Sequence, residues 1–195
     1  VVHRPPETVI YLKNWSARID ADAQVLSVDT DEFSYELTLK PVKPPVLHGR
    51  AGYSLKGSSP QRASCYYSYT RLEVDGHLTI GGKTFAVSGQ GWMDHEFSTA
   101  MLEPGIKGWD WFSLQLSDRT EIMVFLLRTD EGGISAVSSG TFVDPEGKTR
   151  TIGKDDFAVT ILDTWQSPHS KAVYPSRWRL RVFPFALDLT ISANL

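Results

Sequence analysis

Apolar and polar residues alternate along nearly the whole chain, and turn residues recur about every ten positions. Successive side chains of a strand point to opposite faces, so a period of two is what a half-buried β-strand requires. No window sustains the 3.6-residue spacing of an amphipathic helix. The pattern predicts an all-β protein built from short antiparallel strands as a barrel or sandwich. Arg177-Trp178-Arg179-Leu180-Arg181-Val182 places three arginines on one face and Trp178, Leu180 and Val182 on the other, so one side of that strand is wet. Ile122 to Leu127 is apolar on both faces and should sit centrally between covered surfaces, or line an apolar cavity on one of them. Asp75-Gly76 lies between two alternating runs and predicts a tight type I′ hairpin turn. The Pro104-Gly105 break is the best candidate for a junction, giving two β units, 1–104 and 105–195.

The densest chemical signal lies between Gly89 and Phe112. It holds Trp92, Asp94, His95, Glu96, Trp109 and Trp111, in a chain with six Trp in all. On a strand, Asp94 and Glu96 share a face and His95 points the other way. Trp109, Trp111, Ser113 and Gln115 likewise fall opposite Phe112, Leu114 and Leu116. A face of indoles, hydroxyl and amide needs hydrogen-bond partners and suits a ligand pocket, mostly apolar with a few polar groups. The plainer reading keeps Trp109 and Trp111 as core aromatics and the two acids as paired or solvated groups, which is the commoner fate of both residue types.

Other classes are disfavoured. With a net charge of -3 and scattered Lys and Arg, nothing offers a basic stripe to a phosphate backbone, so nucleic acid is not an expected partner. No apolar run approaches the roughly 20 residues of a helical membrane span, so membrane association would need another device. Gly89-Gln90-Gly91 starts like a dinucleotide fingerprint but continues to Asp94 where a glycine is required, and no cofactor is expected. The five histidines are dispersed without an i, i+4 pair, so no metal is expected either. Cys65, the single cysteine, reads as a packed thiol.

Several segments, taken in order, resemble one family. They are residues 48–57 (HGRAGYSLKG), 63–72 (ASCYYSYTRL), 87–97 (VSGQGWMDHEF), 108–112 (GWDWF), 165–168 (WQSP) and 174–178 (YPSRW). Together they are similar to the AttH and carotenoid 1,2-hydratase (hydroxyneurosporene synthase) family, from about His48 onward. The resemblance implies two lipocalin-like β domains with a cavity in or between them. It also implies relatives that include hydratases of carotenoids and of the isoflavonoid kievitone, more distant fungal Diels-Alderases, and bacterial proteins called predicted secreted hydrolases. An exported or periplasmic location is what the resemblance suggests, while the residues leave the compartment open. A Glu-Trp-Trp segment and a Tyr-Trp-Glu-Gly-like strand, usual in the family, do not occur here. The expectation is therefore a fragment, a diverged member or one piece of a longer protein.

On this basis the chain is expected to bind an apolar small molecule, isoprenoid or polyketide-like, against Trp92, Trp109, Trp111, Tyr67 and Tyr69. If it is an enzyme, hydration of a carbon-carbon double bond needs an acid and a site that tolerates a carbocation. Asp94 or Glu96 would be the acid, indole faces would hold the cation, and the second carboxylate or His95 would orient water. A non-catalytic carrier or envelope protein, or a pericyclase working by proximity, remains an alternative.

Overall fold

The structure, a computed structural model, describes residues 2–4 and 7–194. Among the described residues, sixteen strands and two short 3-10 turns, at Lys154–Asp156 and Phe183–Phe185, form three antiparallel sheets that stay open, none closing into a barrel. No described helix is long and apolar enough to cross a membrane.

The first sheet begins as a meander of β1 (Val2–Arg4), β2 (Glu7–Leu12), β3 (Trp15–Ile19), β4 (Gln24–Asp29) and β5 (Phe33–Pro41). After a proline-rich connection come the short β6 (Val46–Leu47) and β7 (Tyr53–Leu55), then a long hairpin of β8 (Ala63–Ile80) and β9 (Lys83–Phe97). Along β8, β5 pairs with residues 72–80, β6 and β7 pair with residues 63–68, and β9 takes the other edge.

The hairpin turn is not at Asp75-Gly76. Gly76 lies inside β8, opposite Leu37 of β5 and Val87 of β9, and the chain reverses at Gly81 and Gly82, whose φ angles are 56° and 74°. Two consecutive positive φ angles are what a type I′ turn needs, and glycine adopts them without a Cβ clash. Gly76 serves a different purpose. A Cβ there would lie 2.0 Å from the Glu36 carbonyl oxygen, so glycine permits the approach of β5.

Between Tyr69 and Leu72 the β8–β9 register slips by one residue. Such a bulge breaks the alternation, which is why Thr70, Arg71 and Leu72 are buried in succession. Gln115 clamps it, donating from Nε2 to the carbonyls of Thr70 (2.8 Å) and Gly91 (2.9 Å).

The second sheet is the meander β10 (Ile106–Gln115), β11 (Glu121–Thr129), β12 (Ser139–Val143) and β13 (Thr149–Ile152); the third is β14 (Phe157–Gln166), β15 (Val173–Val182) and β16 (Leu187–Ser192). The strand β11 is covered on both faces. Ile122, Val124 and Leu126 pack with Ile152 and with Phe157, Leu180 and Val182 of the third sheet. Met123, Phe125 and Leu127 face the first sheet, against Tyr66 and Trp92. Burying each such side chain fully contributes about 1.5–3 kcal/mol. The second sheet is thus the middle layer, and the alternation of Arg177 to Val182 follows, with arginines exposed and Leu180 and Val182 buried.

The connection 98–105 separates the nine-stranded sheet from the other two, yet charge joins them across it. Glu121 of β11, 0% exposed, accepts from Lys43 Nζ at 2.7 Å and Arg71 Nε at 2.5 Å. Lys43 also donates to the carbonyls of Arg119 and Asp144, and Arg71 to Gln90 and the Leu116 carbonyl. The bulge is what turns Arg71 inward to meet this carboxylate.

Candidate functional site

The N-terminal half of β8 and the C-terminal half of β9 pair side by side, with Tyr66 opposite Glu96 and Ser68 opposite Asp94. Alternation sends Ser64, Tyr66, Ser68, Asp94 and Glu96 toward the second sheet. There β10 presents Trp109 and Trp111, and β11 presents Phe125 and Leu127. The space between them is a cavity of about 300 Å³. Its far wall is apolar, closed by Phe97, Met101 and Leu102, and its polar end carries Lys56, Ser64, Tyr66 and Glu96. Trp109 and Trp111 are 57% and 41% exposed, so neither is a core residue.

Three donors converge on one oxygen of Asp94. The Tyr66 hydroxyl and Trp92 Nε1 donate at 3.0 Å each, and the Ser68 hydroxyl donates as well. Trp111 Nε1 in turn donates to the Tyr66 hydroxyl at 3.2 Å, and the Trp92 and Trp111 rings meet edge to face. Burial first, and then the Asp94 charge, push the Tyr66 phenol well above its ordinary value, so it stays protonated and donates.

Behind Ser68 lies His48, 1% exposed, with Nε2 2.8 Å from Ser68 Oγ and Nδ1 2.9 Å from Thr141 Oγ1. The one hydrogen of Ser68 goes to the Asp94 carboxylate. Nε2 must therefore carry a proton and donate to Ser68. Burial, helped by the Lys56 charge, lowers the His48 pKa from 6.5 to about 4, which favours the neutral ring with Nδ1 accepting from Thr141. Because the folded pKa is depressed, the unfolded chain takes up the proton first. The contribution is fully present above pH 6.5 and is lost as pH falls toward 4. We expect the wild-type unfolding free energy to fall more steeply over that window than that of His48→Gln, by up to about 1.4 kcal/mol per pH unit. Equal slopes in denaturant titrations at several pH values would show that His48 is not held neutral.

Lys56, just beyond β7, completes the polar end. Its Nζ is 3.0 Å from Glu96 Oε1 and 3.1 Å from Ser54 Oγ, and it stands 3.8 Å above the Phe125 ring centre. The Ser64 hydroxyl also donates to Glu96. Burial lowers the Lys56 pKa, and the Glu96 charge works against that shift.

Of the residues singled out in the sequence, Asp94, Glu96, Trp92, Trp109 and Trp111 are brought together here. Tyr67, Tyr69 and His95 are not. They project from the opposite face of the hairpin, with Tyr67 and His95 stacked at 5.1 Å and Tyr69 edge-on to Tyr67 at 6.2 Å. There they border a separate depression of about 240 Å³ beside Ile19 and Gln24. Cys65 shares that outer face and is exposed, contrary to the packed thiol expected. Tyr66, Ser68, His48 and Lys56 are the additions: the sequence placed them in the family-like segments 48–57 and 63–72 but did not name them among the site residues. Among the described residues no three His, Cys, Asp or Glu side chains gather as a metal site would need.

A family model described as AttH-like matches residues 2–195. Among solved structures, the chain is similar to a candidate AttH from Nitrosomonas europaea, with a TM-score of 0.83 and 30% identity over 90% of this chain and 55% of that one. It is also similar in fold to kievitone hydratase from Nectria haematococca, with a TM-score of 0.70 and 17% identity over 89% of this chain and 54% of that one. The chain thus spans about half the length of these two structures. No curated protein matches it.

Proposed function

We propose that this chain, which belongs to the AttH-like family, binds an apolar small molecule of isoprenoid or polyketide type in the cavity under Trp109 and Trp111, and adds water across a double bond of that ligand. The observation that carries this reading is the cavity itself, where an apolar wall ends in Glu96, Lys56 and the Tyr66 hydroxyl. A pocket of that composition binds by burial and orients by its few polar groups.

When a ligand excludes water, two adjacent charges lose their hydration, and proton transfer from Lys56 to Glu96 removes both. Glu96 is then a carboxylic acid facing the ligand. It protonates one alkene carbon, and the cation formed at the other is held by the indole faces, an attraction of about 2 kcal/mol or more when desolvated. The Tyr66 hydroxyl gives its hydrogen to Asp94 and accepts one from Trp111. A remaining lone pair can hold a water molecule by one of its hydrogens, with the water oxygen turned to the cation. After attack, the surplus proton returns to Glu96. Asp94 here is a positioning residue.

The test uses geraniol as an isoprenoid alkene in heavy-oxygen water. Wild type should incorporate solvent oxygen into a hydrated product, and Glu96→Gln should lose about 10²–10⁴-fold in rate with ligand affinity kept. Equal rates would remove Glu96 as the acid. A specific observation favours a carrier as the second reading: both carboxylates already have partners, Asp94 with three donors and Glu96 with Lys56 and Ser64. Tight binding of geraniol with no hydrated product would favour that reading.

A further inference from the structure

Lys43 and Lys56 are the lysines drawn into the interior, and they are held in different ways. Lys43 Nζ has three oxygen acceptors, Glu121 Oε2 and the carbonyls of Arg119 and Asp144, one for each of its three hydrogens. It is saturated and closed off. Lys56 Nζ has two oxygen neighbours, Glu96 and Ser54, and its remaining direction faces the Phe125 ring and the cavity. Lys56 is drawn out of water beside an apolar wall, and that desolvation favours the neutral amine a carbonyl compound needs; the Glu96 carboxylate opposes the shift but stands where it can take the proton and return it.

We propose that Lys56 is an imine-forming lysine and that the cavity takes an apolar aldehyde or ketone, which it holds covalently. This rests on the reading of the cavity as the ligand site. The Lys56 ammonium passes one proton to Glu96 Oε1. The freed nitrogen lone pair forms a bond to the carbonyl carbon, and the carbonyl π pair moves to oxygen, which takes the proton from Glu96 to give a carbinolamine. Glu96 then accepts the nitrogen-bound proton and delivers it to the departing hydroxyl. The carbon-oxygen bond breaks, water leaves and the carbon-nitrogen double bond forms. One amine and one carbonyl give one imine and one water, with no oxidant or reductant. The chain of the ligand lies against Trp109, Trp111 and Leu127.

The experiment treats the protein with decanal and sodium cyanoborohydride, which reduces an imine to a stable amine, and maps the decyl groups by peptide mass spectrometry. Decanol, which has no carbonyl, is tested in parallel for displacement of an apolar fluorescent probe. Wild type should carry a decyl group on Lys56 in excess over the exposed Lys13, Lys40 and Lys83, with Lys43 unmodified. Lys56→Arg, which keeps the charge opposite Glu96, should lose that adduct while decanol still displaces the probe. Decyl groups spread over the exposed lysines with no excess on Lys56, in protein from which decanol displaces the probe, would overturn the imine and leave the cavity reading intact. Failure of decanol to displace any probe would overturn both.

Discussion

Glu121→Gln is expected to cost about 3–5 kcal/mol of folding stability, the usual loss when one member of a buried ion cluster is removed. Its side chain is 0% exposed and faces Lys43 and Arg71 side chains that are 2% and 8% exposed. Glutamine keeps the volume but leaves two desolvated cations without a counter-charge. The loss is a large share of the 5–15 kcal/mol that ordinarily separates a folded domain from its unfolded chain. The cluster also joins the bulge of β8 to β11, so the damage should extend to the seam between the first two sheets. A denaturant midpoint measured at neutral pH checks this. A midpoint within about 1 kcal/mol of wild type would mean that water reaches the cluster and that the pairing is as weak as at a surface.

The alternation of side chains carried much of the fold. It is legible in Ile122 to Leu127, whose two faces became the core against the third sheet and the floor of the cavity, and in the wet and dry sides of Arg177 to Val182. Alternation also separates Asp94 and Glu96 from His95. It says which residues share a face and not which face is covered. Tyr67 and Tyr69 read as pocket residues for that reason, although Tyr66 and Ser68 are the ones turned inward. Asp75-Gly76 misled because the same dipeptide suits a turn and a close strand crossing, and the Gly81-Gly82 pair a few residues on takes the turn. The polar machinery behind the site has no local signature at all. His48 meets Thr141 across 93 positions and Lys43 meets Glu121 across 78, so only the stacking of the sheets brings them together.

The central claim is that the indole face of β10 lines a ligand cavity. Trp111 is 41% exposed, donates to Tyr66 and borders the space. A ligand seated there would cover much of the indole surface that folding leaves exposed, so the burial of Trp111 is divided between folding and binding instead of belonging to folding alone. Trp111→Ala should weaken binding of N-phenyl-1-naphthylamine by tenfold or more, which corresponds to about 1.4 kcal/mol. Folding stability should fall by less than the 3–5 kcal/mol that a core Trp loses on truncation. The direct measurement is therefore a fluorescence titration of that probe on wild type and Trp111→Ala, with an unfolding midpoint on the same two samples. Lost affinity with a modest midpoint change is the predicted result. Unchanged affinity with several kcal/mol of stability lost would place Trp111 in a core and leave Glu96 and Lys56 without an apolar ligand to act on.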